Sequence, residues 1–244
     1  MSFITKQELQ TQEQELRQAV EFALNFAKKA GAEAEGGVTK VAGLSVSSRL
    51  EQVENIEFNN DGSLGISVDL GKRKGNASTS DLQPQSIQRA VESALAIAKY
   101  TSEDECAGLA DKELMAFDAP DLELYHQANL SVDQVLALAI EAENAALNAD
   151  EQIVNSEGAT FNSHSGVRVY GNTHGMLQSN LSSRYSLSCS VIAAHGEQLE
   201  RDYEYTISRE FDKLQAPQWV GQQAAFKAVD RLNPQKIKTC EVPV

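Results

Sequence analysis

The feature that most limits how this chain can fold is a change of hydrophobic period that occurs twice. Between Gln12 and Ala30 the residues Leu16, Val20, Ala23, Leu24 and Ala27 fall at helical spacing, and Gly31 ends the run. PQSIQRAVESALAIAKY carries a second stripe, Ile87, Ala90, Val91, Ala94, Leu95 and Ala98, with Pro84 suited to the first turn. Between these helices the period falls to two. GLSVSSRL alternates through Leu44, Val46 and Ser48; after a turn expected at Asn59-Asn60-Asp61-Gly62, SLGISVDL alternates through Leu64, Ile66, Val68 and Leu70. The scheme then repeats. Ser131 with Gln134 has the capping-box pattern ahead of Val135, Leu136, Ala139, Ala142 and Ala146. Strands follow through Val167 and Val169, through Tyr185, Leu187, Cys189 and Val191, and through Arg201, Tyr203, Tyr205 and Ile207. Pro217 opens the last helix, with Val220, Ala224, Ala228 and Leu232.

Setting Gly43 on Gly166 and running on without a gap pairs Val46 with Val169, Phe58 with Leu181, Leu64 with Leu187, Ile66 with Cys189 and Val68 with Val191. Two strand-rich regions can match this way by chance; the alternative is an internal duplication of a helix–strands–helix unit. The fold class expected is α+β: duplicated units of helices and short antiparallel strands in one N-terminal domain, each sheet buried on one face. The expected organisation is a flexible N-terminus over 1–11, a first repeat over 12–105, a connector over 106–130, a second repeat over 131–236, and the start of a further domain over 237–244. The connector has few periodic features, so it is expected to follow the surface. TCEVPV ends the sequence on residues of strand character, with no polar tail, which suggests one part of a longer protein.

Composition removes several classes of function. The chain has 244 residues, 41% hydrophobic and 23% charged, enough for a real core. No apolar run is long enough to span a bilayer and the N-terminus has no signal-peptide core, so a cytoplasmic protein without membrane contact is expected. Three widely spaced cysteines, Cys106, Cys189 and Cys240, with no Cys-x-x-Cys, support neither a disulfide framework nor a thiolate metal site. The formal net charge of −14 disfavours direct nucleic-acid contact. The densest basic spot, Gly71-Lys72-Arg73-Lys74-Gly75, reads as a hairpin tip.

No catalytic, metal or cofactor residue can be assigned, and the substrate-binding residues stay unknown. His164 and His174 flank an alternating stretch; ten residues of extended strand separate them by roughly 33 Å, too far to share an ion. Gly171-Asn172-Thr173-His174-Gly175 reads as a hairpin connection, and both histidines as structural. His195-Gly196-Glu197 lacks the downstream Cys-x-x-Cys a zinc deaminase needs. The serines of SSRYSLSCS alternate along a strand without a nucleophile elbow, which reads as the wet face of a sheet. Asp202 and Glu204 share one face of a strand; they could serve acid–base work but read as solvated charges.

SVSSRLEQVENIEFNNDGSLGISV, CAGLADKELMAFDAPDLEL and NSHSGVRVYGNTHGMLQ, followed by ERDYEYTISR and PQWVG, resemble the N-terminal part of PmbA-type (TldE-type) members of the TldD/PmbA family of bacterial metalloprotease-related proteins. The resemblance runs from about Leu16 to Val244. It implies one half of a heterodimeric zinc metalloprotease. Zinc is expected in the TldD-type partner, on a His-Glu-x-x-x-His helix, and no cofactor in this chain. By the same resemblance this chain is non-catalytic and is active only with that partner. It would help hold unfolded peptide substrates in extended form by backbone pairing with a sheet edge, in maturation of a peptide-antibiotic precursor and degradation of an antitoxin. The family's older label, modulator of DNA gyrase, leaves the alternative of a non-proteolytic module acting on gyrase or an antitoxin directly.

Overall fold

A computed structural model describes residues 6–242, and it has an α+β fold. Its helices are α1 (Lys6–Lys29), α2 (Pro84–Tyr100), α3 (Val132–Leu147) and α4 (Pro217–Asp230). Its strands are β1 (Glu33–Arg49), β2 (Gln52–Leu70), β3 (Arg73–Thr79), β4 (Ile153–Asn172), β5 (Leu177–His195) and β6 (Gln198–Ser208). Each half of the chain is therefore helix, three strands, helix. The strands order as β3-β2-β1-β4-β5-β6, so the two halves meet at their first strands. The outer hairpins match: Leu70 pairs with Arg73 around Gly71-Lys72, and His195 with Gln198 around Gly196-Glu197. Gly71 and Gly196 take φ of +62 and +60, the left-handed conformation that tight hairpins require.

The helical stripes are turned inward as their spacing requires, and all six stripe positions of α2 are buried. Helix α1 begins at Lys6, which corrects the expectation of a flexible start as far as residue 11; residues 1–5 lie outside the described chain. Leu9 stands two turns before Leu16 on the same face and is fully buried, and the intervening Gln, Glu and Thr residues take up the solvent side.

The strands are long, not short, and the turn expected at Asn59-Asn60-Asp61-Gly62 is absent. β2 runs extended through those residues, and the chain reverses instead at Leu50 and Glu51, with φ of +49 and +65. A tertiary contact overrides the local turn chemistry. The fully buried carboxylate of Glu143 on α3 accepts the N–H of Leu50 at 2.7 Å, the N–H of Glu51 at 3.2 Å and the Ser48 hydroxyl at 3.1 Å. Gly62 has another use inside the strand: a Cβ there would stand 3.0 Å from the Thr39 carbonyl oxygen on the neighbouring strand.

The chain forms two compact units, and neither is a continuous stretch. The first holds the chain up to Gly43, Asn59–Gln127 and His164–Ser183; the second holds Leu44–Phe58, Ala128–Ser163 and the chain from Arg184 onward. Each unit thus takes the helices of one half and the tip of the central hairpin of the other. In the first unit α1 and α2 cover Ala34, Val38, Leu64, Ile66 and Val68 from their own half, and Val167 and Val169 from the other. In the second, Leu44 and Val46 from the first half are buried, as are Phe161, Tyr185, Leu187 and Val191 from the second. Phe211 closes this core edge-on to Phe161 and Tyr185, at centroid distances of 6.1 and 6.0 Å. α4 sits directly on α3: a Cβ on Gly221 would stand 2.0 Å from the Ala142 carbonyl oxygen.

Replacing Glu143 by alanine leaves two backbone donors and a hydroxyl at a tight turn without their acceptor. Denaturant unfolding of Glu143→Ala is expected to show a loss of about 3 kcal/mol, well above that of an exposed Glu→Ala change. A loss within about 0.5 kcal/mol of wild type would mean that the turn does not depend on the carboxylate.

Candidate functional site

The four histidines are dispersed over different elements. His126 lies in the connector with its ring 2.9 Å from the Glu123 carbonyl oxygen, and His195 ends β5 with its ring 3.4 Å from the Gln152 amide. His164 is in β4 and His174 in the hairpin turn between β4 and β5. That turn is held by Asn172, whose side chain accepts the N–H groups of His174 and Met176 at 3.1 and 3.3 Å. The His174 ring stands 3.4 Å from a Glu33 oxygen, while its Nδ1 is buried with no hydrogen-bond partner. Among the described residues no three His, Cys, Asp or Glu side chains are placed to hold a metal ion. The dispersed histidines therefore do not fit a zinc ion, which needs three or four converging ligands.

In the first unit a polar cluster forms on the strand face away from the helices. Asp69 of β2 is only 2% exposed, and neither of its oxygens has a hydrogen bond. Lys74 of β3 stands 3.8 Å from Asp69 and 3.6 Å from Glu35 of β1, and the Tyr170 hydroxyl donates to Glu35 at 2.9 Å. Burial pushes the Asp69 carboxyl above the ordinary range; Lys74 pulls it back, and Glu35 and Glu33 push it further up. Lys72 bonds the Ala107 carbonyl, and Arg73 holds Glu103 and the Lys99 carbonyl. The basic spot is a hairpin tip, as its glycines suggest, and each of its three cations has a partner within the chain.

In the second unit the carboxylates of β6 face α4. Asp202 meets Arg231 at 3.0 Å and Glu204 meets Lys227 at 2.8 Å. Burial raises both carboxyls. The N–H groups of Tyr203 and Tyr205, with Arg231 and Lys227, outweigh burial and hold both below the usual range. These are partly buried ion pairs fastening β6 to α4, which corrects the expectation of solvated charges, and they have no proton to give near neutral pH. The opposite face of β6 exposes Leu199, Tyr203, Tyr205 and Ile207, with the two tyrosine rings stacked at 6.4 Å. Alternation foretold this row but not its direction, because aromatic residues on a strand are usually turned inward. Cys189 is buried, and burial followed by the nearby Glu143 pushes its thiol up to about 12, so it is inert as a nucleophile.

Asp69 and Glu143 were both missed in the sequence. Asp69 has the parity of a wet face, and nothing local signals its burial. Glu143 does leave a trace: it stands four residues after Ala139 and eight after Val135, on the apolar stripe of α3.

The chain matches the model of the PmbA/TldA metallopeptidase domain 1 over residues 34–98 and that of the PmbA/TldA metallopeptidase central domain over residues 125–232. It is 70% identical over 236 residues to the metalloprotease PmbA homolog of Haemophilus influenzae, covering 97% of this chain and 52% of that protein. It is 53% identical over 237 residues to the metalloprotease PmbA of Escherichia coli O157:H7, covering 97% of this chain and 53% of that protein. The chain thus spans about half the length of the curated relatives it matches. Among solved structures, one from Bacteroides thetaiotaomicron, described as a candidate modulator of DNA gyrase, superposes with a TM-score of 0.82 at 23% identity, covering 97% of this chain and 52% of that one. TldE from Thermococcus kodakarensis superposes with a TM-score of 0.66 at 18% identity, covering 86% and 47%. These two likenesses establish the fold.

A carboxyl whose native pKa is raised stabilises less as the pH climbs through that pKa, because the fold disfavours the charged form. The stability difference between Asp69→Asn and wild type is therefore expected to move in the variant's favour as pH rises from about 4 to 7. Unfolding curves across that range test this; a difference that does not change with pH would place the Asp69 pKa at its ordinary value.

Proposed function

The chain belongs to the PmbA/TldD metallopeptidase family, and from that premise we propose that it is the non-catalytic, peptide-holding portion of a PmbA-type subunit. In this reading its partner is a TldD-type subunit in a cytoplasmic heterodimer. That partner binds the zinc, which when bound would activate the water that cleaves the peptide. The substrates are unfolded peptides, such as a peptide-antibiotic precursor or an antitoxin with flexible segments. The observation that carries the proposal is the outward row Leu199, Tyr203, Tyr205 and Ile207 on an outermost strand of the sheet. A strand in that position keeps backbone donors and acceptors that an extended peptide can use, and backbone pairing is nearly blind to side chains. Such a surface selects for disorder rather than for a motif. No helix among the described residues is long and apolar enough to cross a membrane, in keeping with the cytoplasmic reading.

A second reading is a module that acts on gyrase or an antitoxin by binding alone, and the description of the Bacteroides structure favours it. One experiment separates the two. The full-length protein and its TldD-type partner are purified, and cleavage of an unfolded peptide is followed with each alone and with both. Cleavage is expected only with both. Tyr203→Ala with Tyr205→Ala is expected to raise KM about tenfold with kcat nearly unchanged, the pattern of lost uniform binding. Cleavage by this subunit alone, or none by the pair, would refute the proposal.

A further inference from the structure

The internal duplication allows one stretch of the chain to be compared with its own counterpart. Glu54–Phe58 of β2 corresponds to Leu177–Leu181 of β5 in the register that pairs Phe58 with Leu181. Both stretches lie where the flanking outer strand does not reach: β3 pairs with β2 from Leu64, and β6 pairs with β5 from Tyr185. In the first unit the connector lies against β5. The Ser183 N–H donates to the Leu124 carbonyl at 3.0 Å, the His126 N–H donates to the Ser183 hydroxyl at 2.8 Å, and the Gln178 amide reaches the Phe117 carbonyl. Of Leu177–Ser183 only Asn180 remains exposed. In the second unit the counterpart has no such cover among the described residues. Every residue from Gln52 to Phe58 is exposed, including Val53 at 49%, Ile56 at 43% and Phe58 at 44%.

Charge indicates what fits there. Glu51, Glu54, Glu57 and Asp61 crowd this part of β2, and no Lys or Arg occurs between Leu50 and Gly71. Arg49, at the end of β1, stands 3.9 Å from Glu54. A second copy pairing edge to edge would set two acid rows against each other, which disfavours self-association. An extended peptide with lysine or arginine between β-forming residues would meet both the open backbone and a row of acids that outnumber their one neighbouring cation.

We propose that the outer edge of Gln52–Phe58 is a strand-accepting site for unfolded peptide substrates rich in Lys or Arg. This rests on the peptide-holding reading above and adds to the β6 row a second strand edge, one whose flanking acids give it a charge preference. The test is amide hydrogen exchange on the 244-residue chain and on the full complex with its TldD-type partner. The probes are a blocked Lys-Thr-Val-Lys-Thr-Val peptide, its Glu-Thr-Val-Glu-Thr-Val counterpart, and the lysine peptide with N-methylated valines. The lysine peptide is expected to slow exchange over residues 52–58 by tenfold or more, and the other two to leave it nearly unchanged. Glu54→Lys with Glu57→Lys, both exposed positions, is expected to reverse the preference while the circular dichroism spectrum stays as in wild type. No slowing by the lysine peptide overturns the proposal, as does equal slowing by the acidic or the N-methylated peptide. If the complex cleaves unfolded peptide while 52–58 stays unprotected, the edge assignment alone fails. If 52–58 is protected and the complex cleaves nothing, the proteolytic reading alone fails.

Discussion

A strand of 19 residues such as β2 or β5 extends over roughly 60 Å, whereas the 17 residues of α2 cover about 25 Å. One helix pair cannot bury one face of such strands, and the rest of the architecture follows from that mismatch. Each of the four central strands contributes its residues to two helix-covered cores, and the burial pattern records the change. In β1 the even residues are buried from Ala34 to Val38 and again from Leu44 to Ser48, while residues 39–43 are all partly or fully exposed. The hairpin tips then belong to the core of the opposite half. The Glu143 carboxylate, which accepts the backbone of the β1–β2 tip, fixes one such allegiance chemically.

How much of this was legible depends on whether the cause was local. The helices were readable because a stripe at helical spacing and a capping box act within a few turns; the Ser131–Gln134 box is formed as its spacing implied. The α+β class, the β2–β3 hairpin tip at Gly71 and the β4–β5 connection at Gly171–Gly175 were readable for the same reason. The Asn59-Asn60-Asp61-Gly62 turn was misread because its residues suit a turn, yet the strand continues and Leu50 and Glu51 reverse the chain under a constraint from α3. Local alternation breaks in mid-strand, where burial passes from one core to the other, so long strands look like short ones. The polar groups that matter most, Asp69 and Glu143, owe their burial to partners distant in sequence, which local periodicity does not report.

The carboxylates that the fold takes inside fasten β6 to α4, cap a turn, or sit in a cluster with Lys74, and the buried Cys189 is kept protonated by its surroundings. What the fold leaves available is strand: an aromatic row on β6 and an acidic stretch of β2.

The exchange of hairpin tips also bears on how the chain is made. The first core cannot close when α2 emerges from the ribosome, because it still lacks the strand ends between His164 and Ser183. For the synthesis of a further eighty or so residues, at about 5–20 residues per second, α1 and α2 have only part of their sheet beneath them. The connector is produced during that wait, and it later lies on the strand that completes the core. Most contacts that close either core join distant parts of the sequence, so the fold assembles late and as a whole, and the nascent chain carries open strand edges until it does.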